Sequence, residues 1–256
     1  MIELQIDGSV ATITLNRPPA NAFSREGLLQ LRDTIHQLDA NATVRALVIT
    51  GNGPKFFSAG ADLNTFASGD KGQAIDMIGA FGQAFEALAE SRLVTLAAIN
   101  GYAMGGGLEC ALATDIRIAE EHAQMALPEA GVGLLPGGTG TQTLPWLVGE
   151  GWAKRIILTG ERVDAATATR IGLVEEVVPT GSALAKAQEI AQRVSKQSPD
   201  SVLACKKLIH AARNGVPRPA ALSFERELFI KLFDTQDQRE GVQAFLEKRV
   251  PQWKNA

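Results

Sequence analysis

Residues 100–119 read NGYAMGGGLECALATDIRIA, and they are the most informative segment of the chain. An apolar run at Val94–Ile99 precedes them and stops at a glycine, which is typical of a strand leaving a sheet. The glycines lead into a helical pattern over Gly105–Ala113, and Asp115–Ala119 returns to a strand pattern. Strand, glycine turn, helix and strand in this order predict an α/β fold.

The same arrangement occurs earlier in the chain. The strand pattern Ala46–Ile49 ends in TGNG, and a helical pattern follows at Ala74–Ala89. Residues 4–15 alternate apolar and polar side chains around Asp7-Gly8, which predicts a hairpin. Ser24 is in a favourable position to cap a helix with an apolar stripe. The first part of the chain is therefore predicted to repeat strand-and-helix units.

Only helical patterns remain from about Ala183 onward. The predicted helices are Ala183–Ser195, Pro199–Ala212, Pro219–Phe233 and Gln236–Glu247. We therefore expect a core at residues 1–182 and a helical region at residues 183–256. The helical region contains several phenylalanines that need cover, and contact between subunits would supply it.

The composition excludes several classes of protein. The 256 residues are 45% hydrophobic and 21% charged, which suits a folded globular chain. A net charge of −3 gives no general attraction for nucleic acid. No run approaches the ~18 apolar residues of a membrane span. Cys110 and Cys205 stand far apart without a CxxC motif, so we expect a reduced compartment, the cytoplasm.

Common catalytic motifs are missing from the sequence. There is no GxxxxGK[ST], and Pro136 stands where GxGxxG needs its last glycine. The three histidines are scattered without HExxH, so we expect neither a metal site nor a histidine triad. FFSAG at residues 56–60 lacks the first glycine of a nucleophile elbow.

Two glutamates stand out against this background. Glu109 and Glu129 have no cationic side chain three or four residues away, and each follows a glycine-rich or apolar segment. A carboxylate among apolar residues is costly unless it is used or neutralised. Backbone N–H groups at a glycine-rich helix start are suited to bind an oxyanion. Together these features predict acid–base chemistry on a carbonyl compound.

Four segments together resemble the enoyl-CoA hydratase/isomerase (crotonase) superfamily. They are KFFSAGADL (55–63), residues 100–119, ALPEAGVGLLPGGTGTQ (126–142) and DQREGVQAFLEKRVP (237–251). The resemblance implies a spiral of strand-strand-helix repeats with a C-terminal helical trimerisation region. It also implies an acyl-CoA thioester substrate, a homotrimer or dimer of trimers, and no cofactor beyond the CoA of the substrate.

The resemblance also implies roles for individual residues. Glu109 and Glu129 match the two glutamates of the hydratases, which hold one water. The backbone amides of Ala59 and Gly106 are expected to form the oxyanion hole. The positions expected to hold CoA are Pro19, Ala20, Ala22, Gly60, Ala61, Asp62, Leu63 and Lys248, with Asp62 fixing its loop. Because the two carboxyls should share a proton, neither has its own pKa at this stage.

Two departures from the usual pattern bear on the site. NRPPANAF (16–23) is one residue shorter than in many relatives, and PGGTGTQ (136–142) replaces PGAGGTQ. The acyl pocket is normally set by the helix near residues 74–85. Its residues Met77, Ile78, Phe81 and Phe85 could line that pocket, but at helical spacing such residues are more often plain core.

The leading hypothesis is reversible hydration of a short- or medium-chain 2-enoyl-CoA. The nearest alternative is another reaction of the superfamily: isomerisation, thioester hydrolysis or decarboxylation. A non-catalytic RNA-binding relative is a further alternative, with a small basic cluster at Lys206, Lys207, His210 and Arg213 that a solvated helix face also explains. A serine peptidase of the same fold is the least favoured.

Overall fold

The computed structural model describes residues 1–254, which form two compact units that meet after Gln192. The strands are β1 (Ile2–Asp7), β2 (Val10–Leu15), β3 (Ala46–Gly51), β4 (Phe56–Ser58), β5 (Val94–Ile99), β6 (Tyr102–Met104), β7 (Ile116–Glu120), β8 (Gln124–Ala126), β9 (Val163–Asp164) and β10 (Glu176–Val178). The helices are α1 (Arg25–Ala40), α2 (Lys71–Glu90), α3 (Gly106–Leu112), α4 (Gly140–Leu158), α5 (Ala165–Arg170), α6 (Ala183–Val194), α7 (Pro199–Arg213), α8 (Arg218–Lys231) and α9 (Gln236–Leu246).

Two sheets organise the first unit. One has the order β1-β2-β3-β5-β7-β10, and the other has the order β4-β6-β8-β9. β1 and β2 form the predicted antiparallel hairpin, and β3, β5, β7 and β10 continue the first sheet in parallel. Each of β3, β5 and β7 is followed by a short strand of the second sheet and then by a helix. This repeat confirms the predicted spiral of strand-strand-helix units.

Glycines allow successive turns of this spiral to lie close together. A Cβ atom on Gly101 would lie 2.3 Å from the Lys55 carbonyl oxygen, and one on Gly107 would lie 2.2 Å from the Ser58 carbonyl oxygen. Both contacts are with backbone, which cannot swing aside as a long side chain can. The glycines of the 100–119 segment are therefore required for the approach of β4 to β6 and α3.

Helix α1 shows how the sequence produces these elements. The Ser24 hydroxyl accepts a hydrogen bond from the Gly27 N–H, which caps the helix as predicted. The apolar stripe that faces the core is fully or almost fully buried: Leu28, Leu31, Ile35 and Leu38. Burial of each such side chain contributes about 1.5–3 kcal/mol to folding.

Helix α6 places the boundary between the units later than predicted. Its Ala183, Ala187 and Ala191 are buried in one cluster with first-sheet side chains, including Val48 and Leu96. These small residues let the helix pack closely on the sheet. The division after residue 182 is therefore wrong: the compact units are residues 1–192 and 193–256, because α6 belongs with the sheet.

The second unit is helical, as predicted. α7 begins after Ser198, whose hydroxyl accepts from the Ser201 N–H, and α9 begins after Thr235, which caps Gln238 in the same way. Large apolar side chains stay exposed in this unit: Phe229, Ile230, Phe233, Val242, Phe245, Leu246 and Val250. Trimerisation through this region stays a prediction.

The basic cluster of α7 is not one exposed face. Lys206 is only 8% exposed, whereas Lys207 on the same helix is less covered. Lys206, His210 and Arg213 each have an interaction partner within the chain. The cluster is therefore smaller than the sequence indicates.

Across residues 1–254 the chain forms no helix with both the length and the apolar character that a bilayer span requires.

Candidate active site

The first carboxylate of the site is held by backbone amides. Glu109 is the fourth residue of α3 and only 3% exposed. Its Oε1 accepts hydrogen bonds from the N–H groups of Gly138 and Gly140, each at 2.8 Å. These two donors lie at the start of α4, where backbone N–H groups have no helical acceptor. The sequence predicted Glu109 but gave no sign of these partners.

The amide clamp, formed by Gly138, Thr139 and Gly140, leaves little room for a side chain at its two glycines. A Cβ atom on Gly140 would lie 2.8 Å from Glu109 Oε1, and one on Gly138 would lie 2.8 Å from the Phe85 ring. Thr139 between them adopts φ 86°, a conformation that costs a β-branched residue free energy. PGGTGTQ differs from the usual PGAGGTQ at two positions, Gly138 in place of alanine and Thr139 in place of glycine. The clamp therefore keeps its shape at the cost of local strain.

The second carboxylate has no such support. Glu129 opens the 3₁₀ turn Glu129–Val132, directly after β8 and Pro128. Its Oε2 is buried, and no residue of 1–254 is its hydrogen-bond partner. Gly105 leaves room for the other oxygen, since a Cβ there would lie 2.9 Å from Glu129 Oε1. Glu129 therefore keeps one buried oxygen available for a substrate or a water.

The electrostatics of the two carboxyls are linked. The pKa of Glu109 is raised to about 7, chiefly by burial and in part by the negative charge of Glu129, while the amides of Gly140 and Gly138 oppose the rise. Burial also raises the pKa of Glu129. Because each charge disfavours the other, the pair is expected to hold one proton between its two members near neutral pH. Such a pair provides a general base and a general acid together.

Two backbone amides lie close to this pair. Gly106 is the first residue of α3, so its N–H has no acceptor within the helix. A Cβ on Gly106 would lie 3.7 Å from the Ala61 nitrogen, which brings the two amides into one place. Among the described residues, neither amide has a hydrogen-bond acceptor. The amides of Gly106 and Ala61 are therefore both available to a hydrogen-bond acceptor from outside the protein.

The prediction that Ala59 supplies the second oxyanion donor needs correction. The Ala59 N–H donates to the Ala20 carbonyl oxygen at 2.9 Å, so it is already used inside the protein. The Gly60 N–H donates to the Ser58 hydroxyl at 3.1 Å. Ala61, which the sequence analysis assigned only to CoA binding, is the residue of this segment whose amide remains available.

The segments expected to hold CoA lie next to each other. Pro19, Ala20 and Ala22 belong to the loop between β2 and α1, and Leu63 begins the 3₁₀ turn Leu63–Phe66. The buried Asn21 side chain donates to the carbonyl oxygens of Asn52 and Phe56 at 3.0 Å each and of Phe57 at 3.3 Å. Asn21 was not singled out from the sequence, although its position in NRPPANAF is consistent with this role.

Asp62 and Lys248 were also predicted to contribute to CoA binding. Asp62 holds its own loop, because its carboxylate accepts from the Asn64 N–H at 3.1 Å and pairs with the Arg17 guanidinium at 2.7 Å. Lys248 lies in the second unit, after α9, with φ 55°. Its contact with the nucleotide end of CoA stays a prediction.

An aromatic cluster supports the site from α2. Phe81 and Phe85 are packed edge-to-face against each other and against Phe23, with ring centroids 5.4–5.8 Å apart. A Cβ on Gly106 would lie 2.6 Å from the Phe81 ring. Phe85 and Met77 are fully buried core, whereas Ile78 is 44% exposed and lies against Gly137. Of the four residues considered for an acyl pocket, Ile78 is the most accessible.

A carboxylate pair beside two available amides is the arrangement expected of an acid–base enzyme that acts on a carbonyl compound. A model of the Enoyl-CoA hydratase/isomerase family matches residues 5–256. The chain is 38% identical over 249 residues to a short-chain-enoyl-CoA hydratase of Clostridium acetobutylicum, covering 96% of this chain and 94% of that protein. It is 39% identical over 252 residues to a crotonyl-CoA hydratase of Syntrophomonas wolfei, covering 97% and 95%.

The solved structure of Pseudomonas aeruginosa DspI agrees with these similarities. It matches with a TM-score of 0.96 and 60% identity, covering 99% of this chain and 96% of that chain. The chain therefore belongs to the enoyl-CoA hydratase/isomerase family, and its α/β spiral with a helical C-terminal region is the crotonase fold.

Proposed function

We propose that this protein is an enoyl-CoA hydratase that adds water reversibly across the 2,3 double bond of a short- or medium-chain 2-enoyl-CoA. The product is the 3-hydroxyacyl-CoA. The observation that carries the proposal is the pair itself: Glu109 fixed by two amides, and Glu129 with a buried oxygen that lacks a partner among residues 1–254. Hydration needs a base for water and an acid for carbon, and this pair can supply both.

In this mechanism the water oxygen bonds to C3 while one water proton passes to the Glu109 carboxylate. The π electrons of the double bond move to C2 and onto the thioester oxygen. The Gly106 and Ala61 amides stabilise that developing charge, a contribution of roughly 10²–10³ in rate for each donor. Protonated Glu129 then gives its proton to C2. Both carboxyls act from one face, so the addition is syn.

The two environments suit these roles. Burial raises the pKa of Glu109 to about 7 although the amides of Gly140 and Gly138 oppose the rise, so near neutral pH part of the protein has Glu109 in the ionised form that a base needs. Burial also raises the pKa of Glu129, and its Oε2 accepts no hydrogen bond from the described residues, so its neutral form is available to act as the acid. After one turnover the shared proton lies on Glu109. Its return to Glu129 restores the starting state.

The relatives support a short acyl chain. The Clostridium protein is named for short-chain enoyl-CoA and the Syntrophomonas protein for crotonyl-CoA, the four-carbon substrate. CoA is part of the substrate in this proposal, and no separate cofactor takes part. The exposed apolar side chains of the second unit, Phe229 and Phe245 among them, support a homotrimer or dimer of trimers.

The test is the loss of enoyl-thioester absorbance with crotonyl-CoA, followed for the wild type, Glu109→Gln and Glu129→Gln. We expect rapid hydration by the wild type and a loss of about 10³-fold or more in kcat for each folded variant. A longer and a branched 2-enoyl-CoA then define the acyl preference. An inert wild type that converts 3-enoyl-CoA, or releases free CoA, would replace hydration by isomerisation or thioester hydrolysis.

A further inference from the structure

The loop before α1 and the segment after β4 are joined by a single isolated bridge. Phe23 and Ala61 pair in parallel: the Phe23 N–H donates to the Gly60 carbonyl oxygen at 2.7 Å, and the Asp62 N–H donates to the Phe23 carbonyl oxygen at 3.0 Å. The bridge therefore uses backbone groups of the residues on either side of Ala61, and not those of Ala61 itself.

This pairing determines the direction of the Ala61 amide. In extended backbone, successive N–H groups point to opposite sides of the chain. Because the Asp62 N–H points toward Phe23, the Ala61 N–H points away from it, on the side where Gly106 lies. If the pairing slipped by one residue, a different amide would take this direction. The bridge thus selects which amide is offered to a substrate.

Arg17 holds both chains of this bridge at once. Its Nη1 donates to the carbonyl oxygen of Ala22, the residue before Phe23, at 3.2 Å. Its Nη2 donates to the carboxylate of Asp62, the residue after Ala61, at 2.7 Å. One planar guanidinium therefore connects the two flanks of the bridge, which a single ammonium group does less well.

The charge pair has further support on the Asp62 side. Hydrogen bonding from Arg17, followed by that from the Asn64 amide, holds the pKa of Asp62 below its usual value. The two side chains are partly exposed, at 38% for Arg17 and 21% for Asp62. An ion pair this exposed contributes little to overall stability. Its position on the bridge gives it a more specific consequence.

We propose that Arg17 is a positioning residue for the oxyanion donor: it fixes the Phe23–Ala61 bridge and thereby aims the Ala61 N–H at the thioester oxygen. The inference rests on the proposed acyl-CoA chemistry and assigns Arg17 a role in rate rather than in affinity. Loss of the guanidinium leaves the two glutamates intact but lets the donor move. A donor displaced in this way loses part of its rate contribution, about 10- to 100-fold.

The experiment combines kinetics with infrared spectroscopy of a bound thioester. Butyryl-CoA labelled with ¹³C at the carbonyl cannot be hydrated, and its carbonyl stretching frequency falls when the oxygen accepts hydrogen bonds. We expect wild-type protein to lower this frequency and Arg17→Gln to lose at least half of that shift. With crotonyl-CoA, kcat of Arg17→Gln should fall about 10- to 100-fold with KM within about threefold. Arg17→Lys should give an intermediate shift.

Arg155→Gln is the matched control. Arg155 is another partly exposed arginine of the first unit, paired with Glu161 at 2.6 Å and stacked on Trp152. Its replacement should change neither the carbonyl frequency nor kcat.

The outcomes separate the two proposals. A wild-type carbonyl shift that Arg17→Gln leaves unchanged, or a loss confined to KM, would overturn the role of Arg17 and leave hydration standing. A wild-type protein that shifts the carbonyl but hydrates no enoyl-CoA would overturn hydration, and the Arg17 variants would still decide the inference. No shift in the wild type would overturn the donor role of Ala61 and that of Arg17 with it.

Discussion

Glu109 and Glu129 present the same carboxyl group in two different settings. Glu109 receives two backbone N–H groups at 2.8 Å from the clamp at the start of α4, whereas Glu129 Oε2 is buried without a partner among residues 1–254. Backbone donors stabilise the charged form, and burial without them stabilises the neutral form. The pKa of Glu109 is nevertheless raised to about 7, so the amides reduce the effect of burial without cancelling it. We propose that this difference in backbone contacts assigns the base and the acid.

The largest expected effect separates the two roles directly. Butyryl-CoA has no double bond to hydrate, but its C2 proton can exchange with D₂O through the acid that serves C2. We expect Glu129→Gln to lose this exchange by about 10³-fold or more, whereas Glu109→Gln keeps it within about tenfold. Mass spectrometry of the recovered thioester measures the deuterium. Equal losses in both variants would mean that the roles are not divided in this way.

The next prediction concerns the clamp. Gly140→Ala places a Cβ 2.8 Å from Glu109 Oε1, so the carboxylate must move, and we expect kcat to fall about 10²-fold. Circular dichroism and the unfolding midpoint check that the variant is folded. Gly131→Ala is the control, because its Cβ meets nothing within 4 Å. A folded Gly140→Ala with normal kcat would show that the clamp does not position the base.

The pH dependence of stability tests the burial of Glu109. The folded-state pKa of about 7 lies above the ordinary 4.5, so the folded protein binds more protons between these values. The free energy of unfolding should therefore fall as pH rises from 4.5 to 7, by up to about 3 kcal/mol from this group. Glu109→Gln removes that contribution. Urea unfolding at pH 4.5 and 7.5 measures the free energy of unfolding of both proteins. Relative to the wild type, the variant should be more stable at pH 7.5 than at pH 4.5. The same stability difference at both pH values would contradict the burial of Glu109.

The smallest expected effect concerns strain in the clamp. Thr139→Gly removes the backbone strain of a β-branched residue at φ 86°. Glycine also gives the unfolded chain more conformational freedom, which opposes this gain, and we expect a net stabilisation of about 1 kcal/mol. Thr141→Gly, the same change inside α4, should destabilise instead. Urea unfolding of the two variants measures both. Loss of stability in Thr139→Gly would mean that the threonine side chain has a favourable role there.

The fold was largely predictable from sequence because its signals are local. Apolar runs that end at glycine, such as Val94–Ile99, identify strands whatever their partners. The domain boundary was misplaced because α6 is a helix in sequence but packs with a sheet, which its alanines do not reveal. The local sequence pattern thus predicts whether a segment is a helix or a strand better than it predicts what that segment packs against.

The site was predictable only where a side chain carries the signal. Glu109 and Glu129 were identified because no cation lies near them in sequence. Gly138 and Gly140 act on Glu109 through backbone N–H groups from about 30 residues away, and a glycine-rich segment does not show in the sequence which carboxylate its amides will meet. Ala59 was predicted in place of Ala61 as the second oxyanion donor for a similar reason. Which backbone amide of this segment is available depends on its pairing with Phe23, and that pairing is not visible in the sequence.

We propose that the two glutamates work as one acid–base unit that holds a single proton near neutral pH. Carbon-13 NMR of protein labelled at the glutamate carboxyl carbons, titrated from pH 4 to 9, tests it directly, with Glu109→Gln and Glu129→Gln to assign the signals. We expect both carboxyl signals to report a common titration near pH 7, and either substitution to lower the pKa of the remaining partner. Two independent titrations close to 4.5, each unaffected by the other substitution, would contradict it.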